Sequence, residues 1–131
     1  MTIRDNYFRY LDHFGTTCTV KEMLERDDER DVIALRHDVD HDIDVALEMA
    51  YWEHERGNCS TYYLLPTAPY WSDPRLAHKC RQLTEFGHEV GLHLNSISSW
   101  LRGDVDSVGV DLRRALERLR SDGVAVEGTS P

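Results

Sequence analysis

No apolar run in this chain approaches the ~20 residues needed to cross a bilayer. Its first residues, Met1-Thr2-Ile3-Arg4-Asp5, lack the apolar core of an export signal. A membrane-spanning segment is therefore not expected, and the sequence reads as cytoplasmic. Cysteine is scarce: Cys18, Cys59 and Cys80 are odd in number and far apart, without a Cys-x-x-Cys pair. They suit reduced thiols rather than a disulfide framework. Proline- or serine-rich linkers, low-complexity tracts and internal repeats are missing as well. Positive charge is the last shortage, with 15 Lys plus Arg against 24 Asp plus Glu, a net −9. Without a basic stripe to offset that field, nucleic acid and anionic membrane are not expected partners.

What is present is one domain's worth of sequence, 131 residues, long enough to bury a core. A helical pattern over Asn6–Phe14 and a short one over Val20–Leu24 form an N-terminal helical segment, residues 1–31, which ends in a charged connector from Glu25 to Asp31. From Val32 the periodicity alternates. Val32–Leu35 is a continuous apolar run, as in a buried parallel strand. Ile43, Ala46, Leu47, Ala50 and Tyr51 follow helical spacing, and Gly57 closes that helix. Ser60–Leu65 is rich in strand formers. Ser72-Asp73-Pro74 precedes a helical stripe of Leu76, Cys80, Leu83 and Phe86. His88–His93 reads as a third strand, Val108–Leu119 as a helix and Val124–Val126 as a fourth strand. This order predicts an α/β fold of parallel-sheet βαβ units. A βαβ unit takes roughly 30 residues and a full barrel about 250, so 32–131 is either a small open sheet or the front part of a barrel.

Two segments concentrate the chemistry: Arg36-His37-Asp38-Val39-Asp40-His41-Asp42 and Gly87-His88-Glu89-Val90-Gly91-Leu92-His93. In an extended strand Arg36, Asp38 and Asp40 share one face and His37 takes the other. Two carboxylates at a strand's C-terminal end can serve one metal, or one can bind while the other takes a proton. The alternative, that they cap the next helix, is better met by Asp42. His88 and His93 are five apart and point oppositely. His93, at the C-terminal end, is the expected ligand, and His88 a structural histidine. His37 and His41 are candidate proton carriers or simply packed side chains. Arg36 is a candidate substrate contact. Tyr70 and Trp71 are either loop packing or the apolar floor of a sugar site.

These motifs resemble the NodB-homology polysaccharide deacetylases, over about Val32–Asn95. Arg36–Asp40 is similar to the family's first motif, Ser60-Thr61-Tyr62-Tyr63-Leu64 to its Ala-Thr-Phe-Phe-Val strand, and Gly87–His93 to its Gly-His-Glu-Ile-Gly-Asn-His segment. The resemblance implies a partial (β/α) barrel of the NodB-homology type and a hydrolase that removes N- or O-acetyl groups from a surface polysaccharide or its sugar precursor. It implies a divalent metal (Zn, or Co, Ni or Mn) on Asp38, Asp40 and His93, with Asp38 or Asp40 as base. The chain departs from the family where the adjacent aspartates become His-Asp-Val-Asp. It departs again where a second metal histidine would fall at Ile97. The family's histidine acid would lie beyond Pro131, which leaves His37 or His41 as stand-ins and points to truncation. A metallophosphoesterase and a non-catalytic carbohydrate-binding domain are the rival readings. A four-strand barrel fragment should also expose an apolar face drawn from Ile33, Leu35, Tyr63, Val90 and Leu92. It should then self-associate or need a missing C-terminal segment.

Overall fold

The computed structural model describes residues 1–28 and 30–131; of the charged connector, Glu29 lies outside the described residues. Capping boxes start both N-terminal helices. Thr2 and Asp5 exchange side-chain and backbone bonds at the head of α1 (Ile3–Asp12), and Thr19 and Glu22 do so at α2 (Val20–Glu25). The Thr2 cap is why α1 begins three residues before the apolar spacing predicts. Between the helices, Cys18 bridges Ala34 in parallel, so the N-terminal segment lies along the outer edge of the sheet.

The sheet has four parallel strands: β1 (Leu35–Val39), β2 (Ser60–Leu64), β3 (Glu89–His93) and β4 (Thr129–Ser130), in the spatial order β1-β2-β3-β4. The expected α/β class is therefore present. Between strands run α3 (Ile43–Glu55), α4 (Leu76–Glu85), α5 (Ser96–Leu101) and α6 (Val108–Arg120), with a 3-10 turn at Pro69–Ser72. Asp42 caps α3 by accepting from the Asp44 and Val45 amides. That leaves Asp38 and Asp40 out of the cap.

Consecutive strand order with right-handed crossovers sends the helices to one side of the sheet. There Tyr62, Leu64, Val90 and Leu92 pack with Ile43, Ala46 and Ala50 of α3, Leu76, Cys80 and Leu83 of α4, and Ala115 and Leu119 of α6. Val90 and Leu92 thus belong to the covered core. The opposite face is polar, and of the five residues expected to form an exposed apolar face Tyr63, Val90 and Leu92 are buried, Leu35 is half-buried and Ile33 alone is exposed. Along the polar face stand Arg36 and Asp38, Thr61 and Tyr63, then Glu89, Gly91 and His93. Its N-terminal end is closed by α2: the Val20 amide donates to Thr61 Oγ1 (2.8 Å), and Glu89 Oε1 accepts from Thr61 Oγ1 (2.6 Å) and the Lys21 amide (3.2 Å).

Two strand boundaries differ from the sequence reading. Strand β1 begins where the apolar run Val32–Leu35 ends, because it is Leu35–Val39 that pairs residue for residue with Ser60–Leu64. Arg36–Val39 of the first motif lie in the strand, as the alternation of their side chains requires, and Asp40–Asp42 follow it. Val124 and Val126 are buried and Ala125 is exposed, but the segment is not a strand. Its backbone is spent on the end of α6, with the Val124 amide on Leu119 O (3.0 Å) and Arg120 Nη2 on Val126 O (2.6 Å). No helix is long and apolar enough to cross a membrane among the described residues.

Candidate functional site

At the C-terminal end of the polar face, Asp40 follows the last residue of β1 and His93 is the last residue of β3. Strand β2 lies between them, which puts the two backbones about 10 Å apart. Their side chains nevertheless meet above it, Asp40 Oδ1 to His93 Nδ1 at 3.3 Å. Both are partly solvent-accessible, His93 the less so. The contact is long for a charge-assisted hydrogen bond. It matches instead the span between two donors on one tetrahedral ion, about 3.4 Å for bonds of about 2.1 Å.

Asp38 shares this face two residues earlier but does not join the pair. Arg36 holds it through Nε (3.2 Å) and Nη2 (2.6 Å), both on Oδ1. Asp38 Oδ2 has no protein donor among the described residues. Arg36 in turn stacks on the Tyr63 ring, 4.5 Å from its centroid. Tyr63 lies over Gly91, where an added Cβ would sit 2.6 Å from the ring. Gly91 is thus the gap that admits Tyr63, and Tyr63 is the platform that sets Arg36 and Asp38. Burial raises the Tyr63 pKa, helped by the neighbouring Glu89 charge, which keeps the phenol protonated. Among the described residues no three His, Cys, Asp or Glu side chains gather closely enough to hold one ion. The expected triad of Asp38, Asp40 and His93 is a pair with a neighbour tied to arginine.

His37 is the clearest correction. Strand alternation turns it to the helix-covered face, away from Asp38, Asp40 and His93. There its Nε2 lies 2.6 Å from Glu53 Oε1, so it is no proton carrier for the polar face. Glu53 is fully buried and also accepts from Tyr7 OH (2.5 Å), Ser60 Oγ (2.7 Å) and Tyr62 OH (2.7 Å). Burial alone would raise its pKa. The donors and the His37 charge outweigh that and hold the carboxyl down to about 2. This hub joins α1, β1, α3 and β2, and the sequence reading missed it. The signal was available: Glu53 extends the Ile43, Ala46, Ala50 spacing, so a charge stands on the buried stripe of its helix.

His88 is buried on the same covered side. Its Nδ1 accepts from the Ser60 amide (3.1 Å) and its Nε2 faces Ala50 O (2.8 Å). Burial lowers its pKa, in keeping with a neutral ring bearing its proton on Nε2. Tyr70 is likewise occupied: it is buried, donates to Val39 O and accepts from the Leu65 amide (2.7 Å). It clasps the ends of β1 and β2 and offers no floor to a sugar. Trp71 is only half-buried and borders a cavity with Leu94 and Asn95. His41 is exposed and borders a shallow cleft at the edge of β1 that Asp38 and Asp40 share with His37, Met49 and Tyr62.

Comparison with protein-family models, with curated proteins and with solved structures gave no match. The functional reading therefore rests on the residues themselves.

Proposed function

We propose that this protein is a divalent-metal-dependent hydrolase that removes N- or O-acetyl groups from a surface polysaccharide or its sugar precursor. The observation that carries the reading is the Asp40–His93 pair, a carboxylate and an imidazole brought to donor–donor spacing at the C-terminal end of parallel strands. In parallel α/β folds that end is where catalytic side chains gather. The resemblance of the three motifs to the NodB-homology deacetylases supports the same assignment. So does the sequential strand order with helices on one side, which suits a (β/α) barrel whose interior is the polar face.

The donors fit a borderline ion such as zinc, one nitrogen and one carboxylate oxygen. Asp40 and His93 would hold it. When bound, such an ion supplies Lewis-acid polarisation of the acyl carbonyl and acidifies an attacking water. Asp38, with Oδ2 free, is the base that takes the water's proton, and Arg36 keeps it aligned through Oδ1. His41 is the one remaining exposed imidazole beside these groups and is the stand-in for a proton donor. His37 lines the same cleft but is committed to Glu53 Oε1.

The test has two parts. Calorimetric titration of the folded protein with Zn²⁺ should show one site, lost in Asp40→Ala and in His93→Ala and retained in His88→Gln. Acetylated sugars and phosphate esters are then compared as substrates of the loaded protein. Absence of metal binding in protein with an intact melting transition would remove the reading, and turnover of phosphate esters alone would replace it.

A further inference from the structure

The cavity beside Trp71 encloses about 440 Å³, within the range of small-molecule sites, about 300–1,000 Å³. It opens at the C-terminal ends of β2 and β3. Its lining includes Leu94 and Asn95, the two residues after His93, with Pro66 and Thr67 from the loop after β2. Leu94 packs with the covered core, so the cavity lies across the tip of β3 from the Asp40–His93 pair.

Its charge runs against that of the chain. A protein of net −9 lines this cavity with Arg102, Arg114 and Arg118 against Asp104 and Asp111. Two of the arginines are engaged. Arg102 pairs with Asp104 (2.9 Å), and Arg118 reaches Asp122 (3.0 Å) and the backbone oxygens of Trp71 and Asp73 (3.3 Å each). Asp111 is taken by Ser96 Oγ. Arg114, exposed on α6, has no hydrogen-bonded or ionic partner among the described residues. Asn95, which borders the same space, precedes α5 without using its side chain as a cap, and its amide has no hydrogen-bonded partner among the described residues. An indole wall, a free amide and a free guanidinium are the groups that grip a pyranose by its apolar face, its hydroxyls and an acid substituent.

We infer that this cavity is a subsite for an anionic sugar, with the ring against Trp71 and its carboxylate or phosphate on Arg114. The inference names the substrate class of the proposed hydrolase and rests on that reading for its purpose, though binding itself needs no metal. A saccharide chain laid over the tip of β3 would place one acidic unit here and the acetylated unit at Asp40 and His93.

Metal-free full-length protein is titrated with glucuronate, glucose 6-phosphate and glucose, followed by indole fluorescence and by amide shifts of Leu94 and Asn95. At least one acid should bind, with glucose at least tenfold weaker. Binding of glucuronate alone identifies a carboxylate ligand and binding of the phosphate ester alone a phosphate ligand. Arg114→Gln, at an exposed position, should weaken the acids at least tenfold while leaving the melting temperature and Zn²⁺ titration unchanged. Trp71→Leu should weaken every sugar that binds. Equal binding of glucose and the acids, acid binding indifferent to Arg114→Gln, or no binding by folded protein would each overturn the assignment. Loss of the Zn²⁺ site with the sugar subsite intact would instead count against the hydrolase alone.

Discussion

Glu53→Gln probes the buried hub at its centre. In the folded protein the carboxyl is held at about 2 against an ordinary 4.5. A difference of that size corresponds to about 3 kcal/mol of stability at neutral pH. The sign follows from the direction. A depressed folded pKa contributes fully above about pH 4.5, and the contribution is lost as pH falls through 4.5 toward 2. Glutamine keeps the shape and one acceptor oxygen but brings no charge to His37 and turns an N–H group toward the hydroxyls of Tyr7, Ser60 and Tyr62. The expected loss is thus the low end of the cost of breaking a buried charged network, about 3 kcal/mol. With an unfolding entropy of about 0.28 kcal/mol/K for a chain of this length, the melting temperature should fall by about 10 °C. Urea melts of both proteins across the acid range isolate Glu53, because the other carboxylates cancel in the difference. The gap between them should be widest near neutrality and close toward pH 2. A gap that stays constant over that range would show that packing, not charge, holds the hub together, and no gap at neutral pH would refute the argument entirely.

Two glycines should respond oppositely to alanine. At Gly91 the new methyl meets the buried Tyr63 ring at 2.6 Å and Gly128 O at 3.1 Å, so overpacking should cost about 1–3 kcal/mol. At Gly109, in the first turn of α6, the nearest atom is Ser107 Oγ at 3.8 Å, and alanine should add up to about 0.5 kcal/mol. Thermal melts showing the same sign for both would contradict the Tyr63–Gly91 packing. Tyr70→Phe leaves Val39 O and the Leu65 amide without the hydroxyl they share, a loss of about 1–3 kcal/mol; an unchanged denaturant midpoint would mean water replaces it freely. For His88, whose pKa burial depresses, the unfolded chain binds the extra proton. Wild-type stability should therefore fall as pH drops below about 6.5, with the fall reduced in His88→Gln; identical profiles would show the ring is not what titrates.

Much of this protein was legible from residue spacing alone. The alternation of apolar runs and helical stripes specified the α/β order, since burial period and chain direction are local properties. It also separated Arg36, Asp38 and Asp40 from His37, and His93 from His88, because a strand turns successive side chains to opposite faces. Glu53 too was marked by its place on the buried stripe of its helix. Tertiary structure alone decided who meets whom. That Asp40 reaches His93 across an intervening strand, while Asp38 stays with Arg36, depends on how the strands lie side by side and on a ring filling the space above Gly91. That His37 finds Glu53, and Tyr70 the ends of two strands, depends on contacts between groups 16 and 31 positions apart. Spacing within an element fixes only the direction in which a side chain points. The partner it reaches is set by strand register and helix packing, where burying a polar group without a partner costs more than any local preference can return.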